Sequence, residues 1–375
     1  MHSVVLSPYC PLPTNTGAKA EMWKHLALLR SMGDCTIASA ATRPVGMGWG
    51  AETRAQLEGQ GFAVRLREEL YPTKNRQQWA GLVYGAVCKG LTVERAFGHA
   101  NPYHRHAFPP DFLLECSQGA DLAVINYSYW AHLATACPKV LILHDLLSKI
   151  MQGWGRRETE ELGLADLVVV ISKDEETELR GRGLRNVLWS PPLVQPSAFP
   201  LSAQVGLIGS ANLFNQEGLR WLAQAGKPPL LPLHVYGALS QFAPWPEVRK
   251  VAYYADNQQP YQECGVMLLP TASGTGVQIK VVEALAAGRA IVARKGAMRG
   301  LPAGGGAWLE VSSPEAMWAQ AARLSQDIQL RRQHAAKARA YYQQHLDAER
   351  LLAELRQAYT ALAGRRHSLS APSVS

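Results

Sequence analysis

The side chains best placed for chemistry lie between residues 270 and 290. Gly274 and Gly276 flank Thr275, an apolar run precedes them, and helical spacing begins near Val277. Lys280 and Glu283 follow three apart, so they share one helical face, and Gly288 stops the helix before a second apolar run. Glycines at such a turn let successive amides form a nest, and the helix N-terminus beside it favours an anion. An ammonium can neutralise phosphate, and a carboxylate can accept both hydroxyls of a ribose. Together these groups suit a nucleotide diphosphate. The plainer alternative for Lys280 and Glu283 is an exposed ion pair at helical spacing.

Two further segments end strands with polar groups. Ser7–Lys19 runs from a strand through a proline-rich loop to Asn15-Thr16-Gly17, where a helix opens. Gly17 either lets backbone approach a ligand or simply follows an N-cap. Leu143-His144-Asp145 joins a strand to a helix, so His144 can hydrogen-bond a sugar hydroxyl or pack as a satisfied core residue. Asp145 suits a helix cap, a polar contact, or both. Tyr127 and its aromatic neighbours end the adjacent strand and serve either the same rim or the core.

Elements that could position these groups alternate along the chain. Apolar runs at Val4–Ser7, Cys35–Ala38, Leu122–Asn126, Val140–His144 and Leu167–Ser172 are predicted strands separated by helical spacing, with one or two helices over Asn75–Phe97. Ser190–Pro200 holds four prolines in eleven residues, which breaks both helix and sheet and marks the domain boundary. The alternation then restarts with strands at Val205–Ile208, Leu233–Tyr236, Val266–Leu269, Ala290–Ala293 and Ala307–Leu309. Helices are predicted at Asn215–Ala225, Ser313–Leu324 and 328–363. Continuous apolar strands between helices predict α/β architecture with parallel sheets covered on both faces. The expected division is a first Rossmann-like domain over 1–195, a second over 196–345, a helix over 346–363 packing back on the first domain, and a disordered tail over 364–375.

The run from Pro270 to Gly300 resembles the donor-binding signature of family 4 (group 1) retaining glycosyltransferases, which have the GT-B fold. Leu207-Ile208-Gly209-Ser210 resembles the opening of their C-terminal domain, and His144-Asp145 the histidine-bearing strand end of their N-terminal domain. The resemblance implies two doubly wound Rossmann-like domains facing an interdomain cleft. It implies an acceptor-binding first domain and a nucleotide-sugar-binding second one. Gly17, Gly209, Gly274, Thr275, Gly276, Val277, Lys280 and Glu283 would bind the donor, with Glu283 on the ribose. His144 would act on the transferred sugar with Lys280 as the second catalytic group, and Tyr127 and Asp145 would stand on the acceptor side. The chain departs from the family pattern at three positions. Thr275 stands where many members have a first glutamate, and Ser210 and Asn215 stand where many carry the arginine and lysine that neutralise the diphosphate. Lys280 is the nearest substitute, with Arg294 or Arg299 behind it.

The implied reaction is retaining transfer from a nucleotide-diphosphate sugar to a hydroxyl acceptor, with no cofactor and no metal. The rival readings are a catalytically silent nucleotide-sugar- or partner-binding protein and a sugar-nucleotide epimerase. A net charge of +8 favours acidic partners, yet the basic residues are scattered, which argues against nucleic acid as the partner. Surface-glycan or polysaccharide assembly on a glycan or lipid-linked acceptor fits that charge. The expected location is cytoplasmic, with peripheral contact at the inner membrane surface. Six dispersed cysteines without a Cys-x-x-Cys pair read as reduced, mostly buried thiols.

Overall fold

The structure, a computed structural model, describes residues 1–12, 17–41, 49–71, 107–150, 155–228, 230–254 and 256–369. The helical prediction over Asn75–Phe97 lies outside the described residues, as does Cys88. The chain separates into two compact units. The first comprises Met1–Ile171, Glu175–Ser190 and Leu352–Ser375, and the second Ser172–Asp174 and Pro191–Leu351.

The first unit is built on seven parallel strands. They are β1 (His2–Leu6), β2 (Asp34–Ser39), β3 (Phe62–Leu66), β4 (Leu122–Asn126), β5 (Lys139–Leu143), β6 (Leu167–Val170) and β7 (Val187–Trp189), in the order β3-β2-β1-β4-β5-β6-β7. Helices α1 (Gly17–Met32), α2 (Ala51–Gly59), α3 (Leu147–Ile150), α4 (Gly155–Leu162) and α5 (Lys173–Gly181) lie among them in sequence. Burial explains why the central strands are continuous apolar runs. Every residue of β4 and β5 is buried, whereas β3, at the sheet edge, alternates buried and exposed. The order reverses between β1 and β4, which pair in register from Ser3↔Leu122 to Leu6↔Ile125.

The second unit repeats the plan with six parallel strands. They are β8 (Val205–Ile208), β9 (Leu233–Tyr236), β10 (Arg249–Val251), β11 (Val266–Leu269), β12 (Ala290–Arg294) and β13 (Leu309–Val311), ordered β10-β9-β8-β11-β12-β13. Here the reversal falls between β8 and β11. Its helices include α6 (Leu213–Leu222), α7 (Ile279–Ala286), α8 (Pro314–Gln326) and α9 (Ile328–Tyr341). The core packs β8 and β11 against α6 and α8 through Leu207, Leu268, Leu219, Met317 and Trp318. Each such side chain contributes about 1.5–3 kcal/mol on burial.

The long C-terminal helical run is not one helix. It breaks after Tyr341 into a π-turn (Tyr342–Leu346) and restarts as α10 (Ala348–Leu369). Asp347 causes the restart, because its Oδ1 accepts the Arg350 amide at 2.8 Å as an N-cap. Helix α10 runs through 364 to Leu369, into the span expected as a tail, and 370–375 lie outside the described residues. A lone Gly364 costs only about 1 kcal/mol in a helix, which the good helix formers around it offset. Residues Leu352 onward join the first unit, where Leu355, Tyr359 and Leu362 share a core with Met22, Leu26 and Leu29 of α1. Within that core the Tyr359 hydroxyl meets His25 Nδ1 at 2.7 Å, and His25 Nε2 lies 3.2 Å from Glu21.

Candidate functional site

Ligands of open α/β sheets bind beyond the carboxyl ends of the strands, where the order reverses. Each unit places some of its predicted residues at or beside that point.

In the second unit the reversal lies between the ends of β8 and β11, and Lys280 reaches it from α7. Its Nζ donates to the Ile208 carbonyl at 3.0 Å, to Asn215 Oδ1 at 2.9 Å and to Thr271 Oγ1 at 3.4 Å. Asn215 is held in turn, its Nδ2 donating to the Ser210 carbonyl at 3.1 Å and to Ser210 Oγ at 3.2 Å. Thr271 Oγ1 donates to Asn215 Oδ1 at 3.1 Å. Thus Ser210 and Asn215, which bring no cation of their own, hold one that arrives from another helix. All of these partners are neutral. Burial, with Arg299 nearby, pushes the Lys280 ammonium down to about 7.

Glu283 does not pair with Lys280. One turn along α7 its Oε2 accepts the Tyr261 hydroxyl at 2.7 Å, and burial raises its pKa despite that bond and the nearby ammonium. An ion pair at helical spacing is therefore not what these residues form. Their positions on one face send them to different partners.

The turn before α7 needs its glycines. Gly274 and Gly276 have φ of 113° and 64°, which L side chains adopt only with strain, and a Cβ on Gly274 would stand 2.8 Å from Arg299 Nη2. Gln278 pins the turn, donating to the carbonyls of Thr271 at 3.0 Å and Ala297 at 2.9 Å. Thr275 and Val277 lie in this turn, and α7 itself begins at Ile279, two residues later than the spacing predicts. Gly209 follows β8, where a Cβ would lie 2.7 Å from Leu239 Cδ2 and 3.1 Å from Asn215 Cγ, so a larger residue would push on both side chains. Arg299 donates to the Thr271 and Ala272 carbonyls at 3.4 and 3.3 Å, and Arg294 is paired with Glu217 at 2.8 Å and stacked over Trp221. A cavity of about 460 Å³ runs along Met298, Arg299, Gly304 and Trp308. Lys280 and Glu283 do not line it.

In the first unit the reversal lies between β1 and β4, and rings meet there. Tyr9 follows β1, Tyr127 follows β4 and His144 follows β5. The Tyr9 and Tyr127 hydroxyls are 3.1 Å apart, and the Tyr127 ring stacks on the His144 imidazole at 4.4 Å and 28°. Burial raises the pKa of both phenols, which keeps them protonated. His144 is buried. Beyond Asp145 the amides that open α3 are taken by carboxylates of the same unit. Leu146 donates to Glu175 Oε1 at 3.3 Å, and Leu147 and Ser148 donate to Glu158 at 2.6 and 3.1 Å. Those amides bind side chains rather than a ligand. Burial pushes Glu175 up to about 7, against the pull of Lys149. Gly17 is the exposed first residue of α1, and residues 13–16 of its loop lie outside the description.

Sequence reasoning missed three participants. Asn215 stood out only as a lost cation, Tyr261 sits 22 residues from the carboxylate it holds, and Tyr9 is one aromatic in a proline-rich loop. Only Tyr127 and His144, both named for strand ends, hinted that rings would meet.

Residues 202–327 match the family model described as Glycosyl transferases group 1. That match spans most of the second unit. No curated protein matches the chain in sequence. Among solved structures, Anabaena HepE in complex with UDP and glucose matches with a TM-score of 0.68 at 16% identity, over 96% of this chain and 100% of that one. Sucrose-phosphate synthase from Thermosynechococcus elongatus matches with a TM-score of 0.62 at 14% identity, over 97% and 100%. A glycosyltransferase from Rickettsia africae matches with a TM-score of 0.61 at 9% identity, over 96% and 98%. At these identities the likeness establishes the fold, which is GT-B with two Rossmann-like units. Among the described residues no helix is long and apolar enough to cross a membrane. Of the cysteines, Cys10, Cys35, Cys116 and Cys264 are buried, Cys137 is half-buried, and all five are free thiols.

Proposed function

We propose that this protein is a group 1 glycosyltransferase that moves a sugar, with retention, from a nucleotide-diphosphate donor to a hydroxyl acceptor. The observation that carries the proposal is the Lys280 ammonium, held by Asn215 and Thr271 at the order reversal of a group 1 domain and next to a glycine turn. In this reading Lys280 neutralises the diphosphate, the amides of Thr275–Val277 contact phosphate and sugar, and Glu283, oriented by Tyr261, accepts the ribose hydroxyls. Gly17 approaches the donor phosphates, His144 binds the transferred sugar, and Tyr127 and Asp145 face the acceptor. The anomeric C–O bond to phosphate breaks and a bond to the acceptor oxygen forms on the same face. The acceptor proton passes to the departing phosphate oxygen, so no separate protein base is needed. Fixed donors aimed at the developing charge supply the stabilisation, with no metal required.

The structural relative HepE was solved with UDP-glucose, which makes a uridine donor the first to try. A screen of nucleotide sugars by thermal shift should pick out the donor, because a ligand of the folded state raises its melting temperature. Product analysis with that donor in excess chelator should then show hydrolysis or transfer with retained anomeric configuration. Inverted product, or transfer that appears only with added Mn²⁺, would sink the corresponding half of the proposal. An epimerised sugar formed from the donor without an acceptor would point to an epimerase instead. Charge of +8 supports a lipid-linked or polyanionic glycan acceptor at a membrane surface. Flotation with anionic vesicles at low and high salt tests that association, and no binding at low salt would remove it.

A further inference from the structure

Among the described residues, Tyr127 is the one non-glycine with positive φ. Its φ of 71° and ψ of 142° fall where an L side chain is strained and glycine is at ease. The β4 ladder does not explain the kink, since the Tyr127 amide still donates to the Ile142 carbonyl at 2.9 Å. What the kink achieves is the direction of the ring. A residue continuing β4 would point above or below the sheet, whereas Tyr127 lies nearly parallel to His144 with centroids 4.4 Å apart. Its hydroxyl is tied to Tyr9, 118 residues away at the neighbouring strand end. Tyr9 is itself fixed, because its carbonyl accepts the Ser7 hydroxyl. Three adjacent strand ends, those of β1, β4 and β5, are thus linked by one hydroxyl contact and one ring stack.

We propose that Tyr127 is a positioning residue, whose strained backbone and Tyr9-anchored ring hold the His144 imidazole in its working orientation. The inference rests on the reading above, in which His144 binds the transferred sugar, and it gives Tyr127 a role through His144 rather than through the acceptor. The strain is a local cost that the unit tolerates for the placement of one ring.

The test combines melting, NMR and kinetics on the full chain. Tyr127→Gly should melt about 2–4 °C above Tyr127→Ala, the reverse of the usual order, because only glycine relieves this backbone. In Tyr127→Leu the His144 ring protons should lose the upfield displacement that a stacked ring imposes. In the same variant kcat should fall on the order of 100-fold, with donor and acceptor KM within about threefold of the parent. Tyr127→Phe should restore most of that kcat, and Tyr9→Phe should shift the His144 signals in the same direction by less. Unmoved His144 signals in Tyr127→Leu, or a raised acceptor KM with kcat intact, would overturn the proposal. Should the parent transfer no sugar from any donor, the functional reading fails, while the melting and NMR arms still decide whether Tyr127 places His144.

Discussion

At the order reversal of the first sheet the side chains that meet are rings, and at that of the second they are an ammonium, a carboxylate and a glycine turn. The first cluster, Tyr9, Tyr127 and His144, is held by stacking and one hydroxyl contact. The second holds Lys280 with three neutral oxygens and Glu283 with a phenol. Rings fix an orientation with little charge, which suits a neutral sugar or hydroxyl. Charges kept short of charged partners suit a ligand that brings its own charge. In the proposed function the same doubly wound plan would serve two kinds of recognition, and the difference lies in a few residues at corresponding strand ends.

The sharpest way to break this contrast is to remove its charged member. Lys280→Ala should lower turnover on the order of 10²–10³-fold in a donor-hydrolysis or transfer assay, as loss of a fixed charge-stabilising donor does elsewhere. Turnover within a few-fold of the parent would return Lys280 to a structural role. Removing the ring cluster's imidazole should act differently. His144→Ala should cost on the order of 100-fold in kcat while nucleotide affinity, read by calorimetry, stays within about threefold. Equal loss of nucleotide binding would mean that the two clusters do not divide the work.

Acidity separates the two charged groups of the second cluster. Lys280 has its ordinary pKa of 10.5 pushed down to about 7, so between those values the unfolded chain binds the extra proton and the folded one does not. Its contribution to stability therefore rises with pH from about 7 toward 10.5. Nucleoside-diphosphate affinity should move the opposite way, weakening by up to about tenfold per pH unit above 7, since the bound phosphates need the ammonium. Glu283 works in a lower window, because its raised pKa stabilises at low pH and that contribution is lost as pH rises through the folded value. Denaturation and calorimetry from pH 6 to 9 on the parent and Lys280→Met would show both slopes vanish in the variant. The smallest effect belongs far from either cluster. Tyr359→Phe deletes the hydroxyl that meets His25 and should destabilise the first unit by about 1 kcal/mol in urea denaturation, leaving nucleotide binding unchanged.

Much of this arrangement was legible in the chain, for reasons that can be named. Central strands such as Leu122–Asn126 announce themselves because a strand buried on both faces must be apolar throughout. The turn at Gly274–Gly276 does so because positive φ nearly requires glycine. Spacing alone could not show that Lys280 and Glu283 part company, since the partners of each come from other elements far along the chain. It could not show what Ser210 and Asn215 hold for the same reason, because a lost charge is visible in a sequence and a tether for someone else's charge is not. The break at Asp347 was missed because helical periodicity carries on across it, and only one capping carboxylate marks the restart. The kink at Tyr127 had no signal at all, as tyrosine is a residue no turn rule expects at positive φ.

Helix α10 has a consequence for how the chain comes into being. The first unit holds residues from both sides of the second, and Leu355, Tyr359 and Leu362 fill its core beside α1. A ribosome delivers those residues only after the whole of Pro191–Leu351 has emerged. The half that is synthesised first must therefore wait with Met22, Leu26 and Leu29 short of their partners, while the second unit already has every residue it needs. A premature stop near residue 350 would leave the later-made half whole and the earlier-made half unfinished.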